Sequence, residues 1–116
     1  MTLPEFRQAL TGLGSMTPDD AKLLDLFITS IDRWVLDAST PDHLVDHLSR
    51  ILGNVWFSSR DLHQQVFDAL DAFAATVGEL GGMTMNERLF TFGLFDRWDA
   101  STDDVRKSIR LKLRAS

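Results

Sequence analysis

Five short segments of one chemical kind recur along this chain: TLPE at 2–5, TPDD at 17–20, TPDH at 40–43, TMNE at 84–87 and STDD at 101–104. A threonine or serine hydroxyl can accept a hydrogen bond from a free amide at a helix start. Proline suits the first turn because it lacks an amide hydrogen, and a nearby carboxylate is stabilised by the positive end of the helix dipole. Five such starts in 116 residues predict an all-α protein.

Glycines stand where these helices should end, because glycine tolerates the backbone conformations that terminate a helix. The glycines concerned are Gly12, Gly14, Gly53, Gly78, Gly81 and Gly82. Between starts and stops, apolar residues recur at helical spacing, as Leu24, Phe27 and Ile31 do. No alternation of β-branched residues and no Asn-Gly or Asp-Gly turn predicts a strand. The prediction is a compact bundle of about five to six helices, at 3–12, 18–37, 41–52, 60–79, 85–98 and 102–114.

The length of 116 residues fits one domain, because a single hydrophobic core typically serves roughly 100–200 residues. A hydrophobic fraction of 44% with 25% charged residues is typical of folded globular proteins rather than disordered ones. We therefore expect a single helical domain over 1–116, with NVWF at 54–57 as a hydrophobic connector packed against the bundle.

The chain contains no cysteine, which excludes disulfides, thiolate catalysis and cysteine-based zinc sites. Its first residues, MTLPEFRQAL, have no basic segment followed by an apolar run, so we expect no secretory signal and a cytoplasmic protein. No window approaches the ~18 uninterrupted apolar residues of a membrane-spanning helix, so we expect no membrane partner.

Charge is distributed unevenly along the chain. The net charge is −5, yet residues 101–116 carry five basic and two acidic side chains, which leaves −8 on residues 1–100. An acidic body repels nucleic acid and steers basic proteins towards itself. In the basic tail Val105, Ile109 and Leu113 recur every four residues, the stripe of a helix that packs on the core. We therefore expect a basic protein partner and no direct nucleic-acid binding.

The segment HLVDH at 43–47 is the pattern closest to a metal site. His43 and His47 lie four residues apart, so on a helix both point to one side, with Asp46 or Asp42 nearby. The order resembles the H-x-x-E-H zinc proteases with aspartate in place of glutamate. A catalytic zinc ion needs a third protein ligand, and the remaining histidine, His63, lies about a helix away. We favour two solvent-exposed histidines and keep a metal-dependent hydrolase as an alternative.

Aspartates are abundant, and most stand among polar residues or at helix starts, where capping and solubility explain them better than acid–base catalysis. Short carboxylates hold negative charge close to the backbone, which suits binding to a basic protein. We predict a binding face with Trp56 or Trp34 as its aromatic anchor. Its acidic members are Asp19, Asp20, Asp42, Asp46, Asp68 and Asp71. The chain has no phosphate-cradling loop, no G-x-S-x-G elbow and no dinucleotide fingerprint, so we expect no cofactor and no catalytic residue.

The run MTMNERLFTFGLFDRWD at 83–99 concentrates the aromatic residues. A helix starting at Thr84, capped reciprocally by Glu87, would be apolar on more than half of its circumference. We predict the central helix of the bundle, with Gly93 admitting a close neighbour. Two interpretations stay open for the charged side chains of this run: internal salt bridges, or a polar rim around an exposed aromatic patch. These side chains are Arg88, Asp96, Arg97 and Asp99.

The same run resembles a signature, M-T-x-N-E-R-L-[FY]-x-x-G-L-x-D-x-[FW]-D, of small uncharacterised bacterial proteins, some of which lie beside polymorphic toxins as candidate immunity proteins. The matching residues are Asn86, Glu87, Arg88, Leu89, Gly93, Leu94, Asp96 and Asp99, with Trp98 at the aromatic position. The resemblance implies a related helix, and it brings neither a reaction nor a catalytic residue.

These observations favour a non-catalytic protein-binding domain, an immunity or antitoxin-like inhibitor that occludes a basic bacterial toxin with its acidic surface. The first alternative is a structural or adaptor domain that forms a homodimer through its apolar fifth helix and basic tail. The second is the metal-dependent hydrolase built on His43 and His47.

Overall fold

The computed structural model describes residues 1–14 and 17–114, and in these ranges it contains helices and no strand. The all-α prediction is thus confirmed for this part of the chain. The helices are α1 (Leu3–Thr11), α2 (Pro18–Leu36), α3 (Pro41–Asn54), α4 (Arg60–Gly78), α5 (Met85–Phe92), α6 (Phe95–Asp99) and α7 (Asp103–Lys112), with a short 3-10 turn at Leu80–Gly82. Within the described ranges, none of them is both long and apolar enough to cross a membrane.

Helix starts follow the predicted capping chemistry. At α1, α2 and α5 a threonine hydroxyl accepts the third amide of the helix, while the carboxylate at that position accepts the amide of the threonine. Thr40 and Thr102 begin α3 and α7 without a side-chain bond of this kind. Local sequence therefore determines where each of these helices begins, and the reciprocal bonds strengthen three of the starts.

One continuous cluster of buried apolar side chains joins the helices. At its centre Phe73 of α4 stacks on Phe6 of α1 with ring centroids 5.0 Å apart, and it meets Phe92 of α5 edge to face at 6.1 Å. Phe92 also packs on Trp34 of α2 at 5.6 Å. Four helices therefore meet through one aromatic chain, and each such ring pair contributes about 0.5–1.5 kcal/mol beyond the burial of its surface.

The basic tail closes this core, as its apolar stripe predicts. Ile109 and Leu113 are buried against the cluster. Lys112 is buried with them, only 2% exposed, and its ammonium donates to the backbone oxygens of Trp34, Asp37 and Ser39 and to the Asp37 carboxylate. These contacts place a cation at the C-terminus of α2, where the helix dipole and unpaired carbonyls favour positive charge.

The predicted helix at 85–98 divides into α5 and α6, so the described chain has seven α-helices rather than five or six. The division occurs at Gly93, whose backbone is left-handed with φ of 67°. The Leu94 amide donates to Leu89 O at 2.9 Å and the Gly93 amide to Phe90 O at 3.2 Å, which is the hydrogen-bond pattern of a Schellman cap. Apolar residues at helical spacing continue through the break, so the pattern alone does not reveal it.

The close approach predicted at Gly93 is also present. A Cβ atom built there would lie 2.9 Å from Cγ of Pro4 in α1, nearer than van der Waals contact allows. Gly93 therefore serves two purposes at once, a left-handed cap and a close contact between helices.

Substitution of Gly93 by alanine tests both roles. We expect the free energy of unfolding to fall by about 2 kcal/mol, because left-handed backbone costs an L-residue roughly 1–2 kcal/mol and Pro4 must also shift. Gly81→Ala is the matched control, since a Cβ there meets no atom within 4 Å and its change should stay below about 0.5 kcal/mol. Urea unfolding curves of the two variants decide the point, and equal losses would contradict the assignment.

A candidate protein-binding groove

Helices α3 and α4 are joined by the short segment 55–59 and pack side by side, so they run antiparallel. Between them lies an open groove of about 330 Å³. The α3–α4 groove is lined by Ser49, Leu52, Gly53, Trp56, His63, Phe67, Leu70, Asp71 and Ala74. Leu52 and Leu70 are buried, while Phe67 remains 49% exposed. The groove is therefore apolar, with an accessible aromatic ring on one wall.

Trp56 stands at one end of the α3–α4 groove and is 79% exposed. Its ring stacks on the His63 imidazole with centroids 4.5 Å apart and planes 23° from parallel. The other neighbour of that imidazole is Phe57, which is buried and meets it edge on at 6.0 Å. The stacking holds an exposed tryptophan in a defined position.

The connector at 54–57 explains how this tryptophan comes to the surface. α3 ends at Asn54, and Val55 has extended backbone, with φ of −130° and ψ of 157°. Successive residues of extended chain point to opposite sides, so Phe57 enters the core while Trp56 faces outwards. The connector thus packs against the bundle through Phe57, as predicted, and presents Trp56 to solvent.

Most of the predicted acidic face is exposed. Asp71 lines the α3–α4 groove, and Asp68 lies on α4 nearby, accepting a hydrogen bond from Gln64 at 2.8 Å. The remaining exposed members are Asp19 at the start of α2, Asp42 paired with Arg114 at 2.9 Å, and Asp46 facing Arg50 at 4.0 Å.

Asp20 differs from the other predicted members of the face because it is 2% exposed. Its carboxylate accepts the Ser58 amide at 2.8 Å, the Ser58 hydroxyl, and the Thr17 amide at 3.3 Å. The Ser58 hydroxyl bond is the main reason why the pKa of Asp20 lies below its ordinary value. Asp20 therefore fixes the connector beside Trp56 and is not available to a partner.

Low pH should weaken the contact between the Asp20 carboxylate and the connector at Ser58. The lowered pKa of Asp20 means that the unfolded chain binds a proton at higher pH than the folded chain, so the stabilisation is present above the ordinary pKa of 3.8 and is lost as pH falls through the folded value. We expect Asp20→Asn to lower the urea midpoint at pH 7, with the gap to wild type narrowing near pH 3 (about one unit below the ordinary pKa). Asp19→Asn, at the exposed neighbour, should lower the urea midpoint by less. A difference between Asp20→Asn and wild type that does not change with pH would contradict the assignment.

Trp34, the second predicted anchor, is buried. It is 2% exposed, and its indole Nε1 donates to Thr40 O at 2.9 Å. The Lys112 ammonium lies 3.7 Å from its ring centroid. Trp34 therefore belongs to the core, and Trp56 is the tryptophan that a partner can reach.

The two histidines of HLVDH lie at a different place, a small pocket of about 160 Å³ between α2 and α3. His47 Nε2 is 3.2 Å from Ser30 Oγ, and His43 lines the same pocket. His63 stacks on Trp56 in the α3–α4 groove instead. Over residues 1–14 and 17–114, no three histidine, aspartate or glutamate side chains come together to hold a metal ion.

The residues of the signature run mostly support the fold. Glu87 completes the capping box of α5, and Arg88 donates to Met83 O at 3.1 Å, Leu113 O at 3.0 Å and Arg114 O at 2.7 Å. Asn86 is exposed in the first turn of the same helix. Arg88 thus joins the start of α5 to the end of the described chain.

The second half of the run lies in and around α6. Trp98 is half-buried, with the guanidinium carbons of Arg106 and Arg110 at 5.3 and 5.4 Å from its ring centroid. Asp96 and Asp99 are exposed. In the described ranges neither these two aspartates nor the arginines of the run form an ion pair, so the first of the two interpretations of these charges, internal salt bridges, is not found there.

Comparison of the chain with protein-family models, with curated proteins and with solved structures finds no match.

Proposed function

We propose that this chain is a non-catalytic protein-binding domain, an immunity-type inhibitor that neutralises a basic bacterial toxin. The observation that carries the proposal is Trp56, an exposed tryptophan held by stacking at the edge of an apolar groove. Tryptophan is enriched among the residues that dominate binding energy at protein interfaces, and a ring already held in place loses little freedom on binding.

Charge supports a basic partner. The first 100 residues carry −8, and Asp71 contributes one of these charges directly to the α3–α4 groove. Asp42, Asp46 and Asp68 add exposed carboxylates on the same two helices. Opposite charge on a toxin would accelerate encounter, which suits an inhibitor that must bind before the toxin acts. The association rate should therefore fall as salt is raised.

The proposal is tested by capture from the native bacterium and then by growth. Tagged protein should retain one stoichiometric basic partner, identified by mass spectrometry. Expression of that partner alone should arrest growth, and co-expression of this chain should restore it. A partner that is harmless when expressed alone, or the absence of any partner, would contradict the inhibitor function.

Apolar surface elsewhere favours a second candidate, a homo-oligomeric structural or adaptor domain. Leu36, Phe90 and Leu111 are 67%, 66% and 68% exposed, and none of them lines the α3–α4 groove. A second copy of the chain would bury such side chains. Light scattering separates the candidates: a monomeric mass at high protein concentration excludes the oligomer, whereas a dimer that Phe90→Ser dissociates supports it.

A further inference from the structure

We propose that the α3–α4 groove receives one amphipathic helix of the partner, with a large apolar side chain against Trp56 and Phe67 and a lysine or arginine about two helical turns away at Asp71. This inference rests on the proposed function and adds the chemistry and spacing of the partner segment.

The groove has two chemically different ends. On α4, His63, Phe67 and Asp71 follow one another at intervals of four residues and so lie along one side of the helix. His63 stands at the end occupied by Trp56, Phe67 lies one turn along α4, and Asp71 lies one turn further. Eight residues of helix separate His63 from Asp71, a rise of about 12 Å. A ligand filling the groove therefore meets aromatic rings first and a carboxylate two turns later.

The wall formed by α3 has its groups in the same order, with the carboxylate away from Trp56. Because α3 runs antiparallel to α4, Gly53, one residue before the end of α3, lies at the aromatic end, and the earlier residues of α3 lie towards Asp71. Asp46 and Ser49 precede Gly53 at helical spacing, which places one further carboxylate away from Trp56, while Asp42, one turn earlier, is paired with Arg114 at 2.9 Å. Arg50 faces Asp46 only at 4.0 Å, with both side chains largely exposed, so it screens this end little.

Gly53 leaves the aromatic end of the groove open. A Cβ atom built on Gly53 meets no atom within 4 Å, so the groove is open above the α3 backbone at this point. Leu52 and Leu70 are buried below it. The volume of about 330 Å³ is at the lower limit of ligand-binding pockets, roughly 300–1,000 Å³. It suits bulky side chains inserted from a helix that lies along the groove.

Charge selects the occupant. A purely apolar segment would leave Asp71 desolvated and unpaired beneath it, which is unfavourable, whereas a cation at that position forms a charge-assisted hydrogen bond. An acidic segment is repelled by the same carboxylates. A basic amphipathic helix therefore fits both ends of the groove.

The experiment uses two fluorescein-labelled peptides of about 16 residues with alanine and glutamine backgrounds, each with a single tryptophan anchor. The matched peptide carries lysine roughly seven positions after the anchor, on the same helix face, and the control peptide carries it two positions later, on the opposite face. Fluorescence anisotropy should give at least roughly tenfold tighter binding of the matched peptide.

Variants of the protein locate the site. Trp56→Ala should weaken the matched peptide at least roughly tenfold, and Asp71→Asn should remove the preference for the matched over the control peptide. Leu36→Ala removes another exposed apolar side chain, one outside the groove, and should leave both affinities unchanged. Circular dichroism and the urea midpoint show that each variant remains folded.

Equal affinity of the two peptides, or binding that Trp56→Ala leaves intact, would overturn the inference. These outcomes do not decide the proposed function. If the peptides bind alike but a captured toxin is still neutralised and loses affinity with Asp42→Asn and Asp46→Asn, the inhibitor function holds and the groove inference fails. If the peptide preference is present but no toxin is captured, the groove inference holds and the inhibitor function fails.

Discussion

Replacement of Trp34 by alanine is expected to lower the free energy of unfolding by about 3–5 kcal/mol, the usual cost of deleting a buried large aromatic side chain. The ring packs on Phe92 at 5.6 Å, donates to Thr40 O at 2.9 Å and lies 3.7 Å from the Lys112 ammonium. Its removal leaves a cavity and takes away the ring beside Lys112, while Thr40 O loses one of its donors and keeps the His43 and Leu44 amides. Urea unfolding with a two-state fit measures the loss.

Trp56→Ala is the matched control for this prediction, because it makes the same chemical change at a residue that is 79% exposed. It loses mainly the stacking on His63, so its cost should stay below about 1 kcal/mol. Trp34→Ala should therefore lower mainly the stability of the protein, and Trp56→Ala should weaken mainly its binding to a partner. Similar losses of stability in both variants would contradict the burial assigned to Trp34 or the exposure assigned to Trp56.

Lys112→Met is expected to cost about 3 kcal/mol, because methionine keeps most of the apolar stem and removes the ammonium. Asp37 O and Ser39 O, just beyond the end of α2, would lose the lysine donor. Trp34 O and the Asp37 carboxylate would each lose one donor and keep another, from the Asp37 amide and from Ser39. Losing a charged donor at a buried position is costly. Burial lowers the pKa of Lys112, and the hydrogen bond and charge of Asp37 oppose that shift. The charged form is thus held by the acceptors around it.

Lys107→Met on the exposed face of α7 is the control for Lys112, and its effect should lie within about 0.5 kcal/mol. Hydrogen exchange adds a local measurement: the last amides of α2 should exchange faster in Lys112→Met, since the helix end loses its cap. A Lys112→Met variant as stable as wild type would show that the polar contacts give no net stabilisation.

The helices could be predicted because their signals are local. A threonine, a proline and a carboxylate within four residues act on the same helix turn, and Thr2, Thr17 and Thr84 all make the expected bonds. The helix break at Gly93 was harder to predict, because glycine inside an apolar run predicts either a close contact or a helix cap. Here it provides both, and only the backbone conformation distinguishes one helix from two.

The site was only partly predictable, because burial depends on residues distant in sequence. Asp20 becomes buried through Ser58, and Trp34 through Lys112, 78 positions further along the chain. Val66 and Phe67 are both apolar neighbours on α4, yet adjacent residues of a helix point about 100° apart, and of the two only Val66 is buried. Only the fold brings Phe67 of α4 and Trp56 of the connector to the same groove.

The amount of partner retained from a lysate of the native bacterium by wild type, Trp56→Ala and Leu36→Ala tests the central claim most directly. We expect Leu36→Ala to retain as much partner as wild type. Trp56→Ala should bind roughly thirtyfold more weakly, as expected for the loss of a dominant interface residue. Equal retention by wild type and Trp56→Ala would contradict the claim that the α3–α4 groove is the binding site.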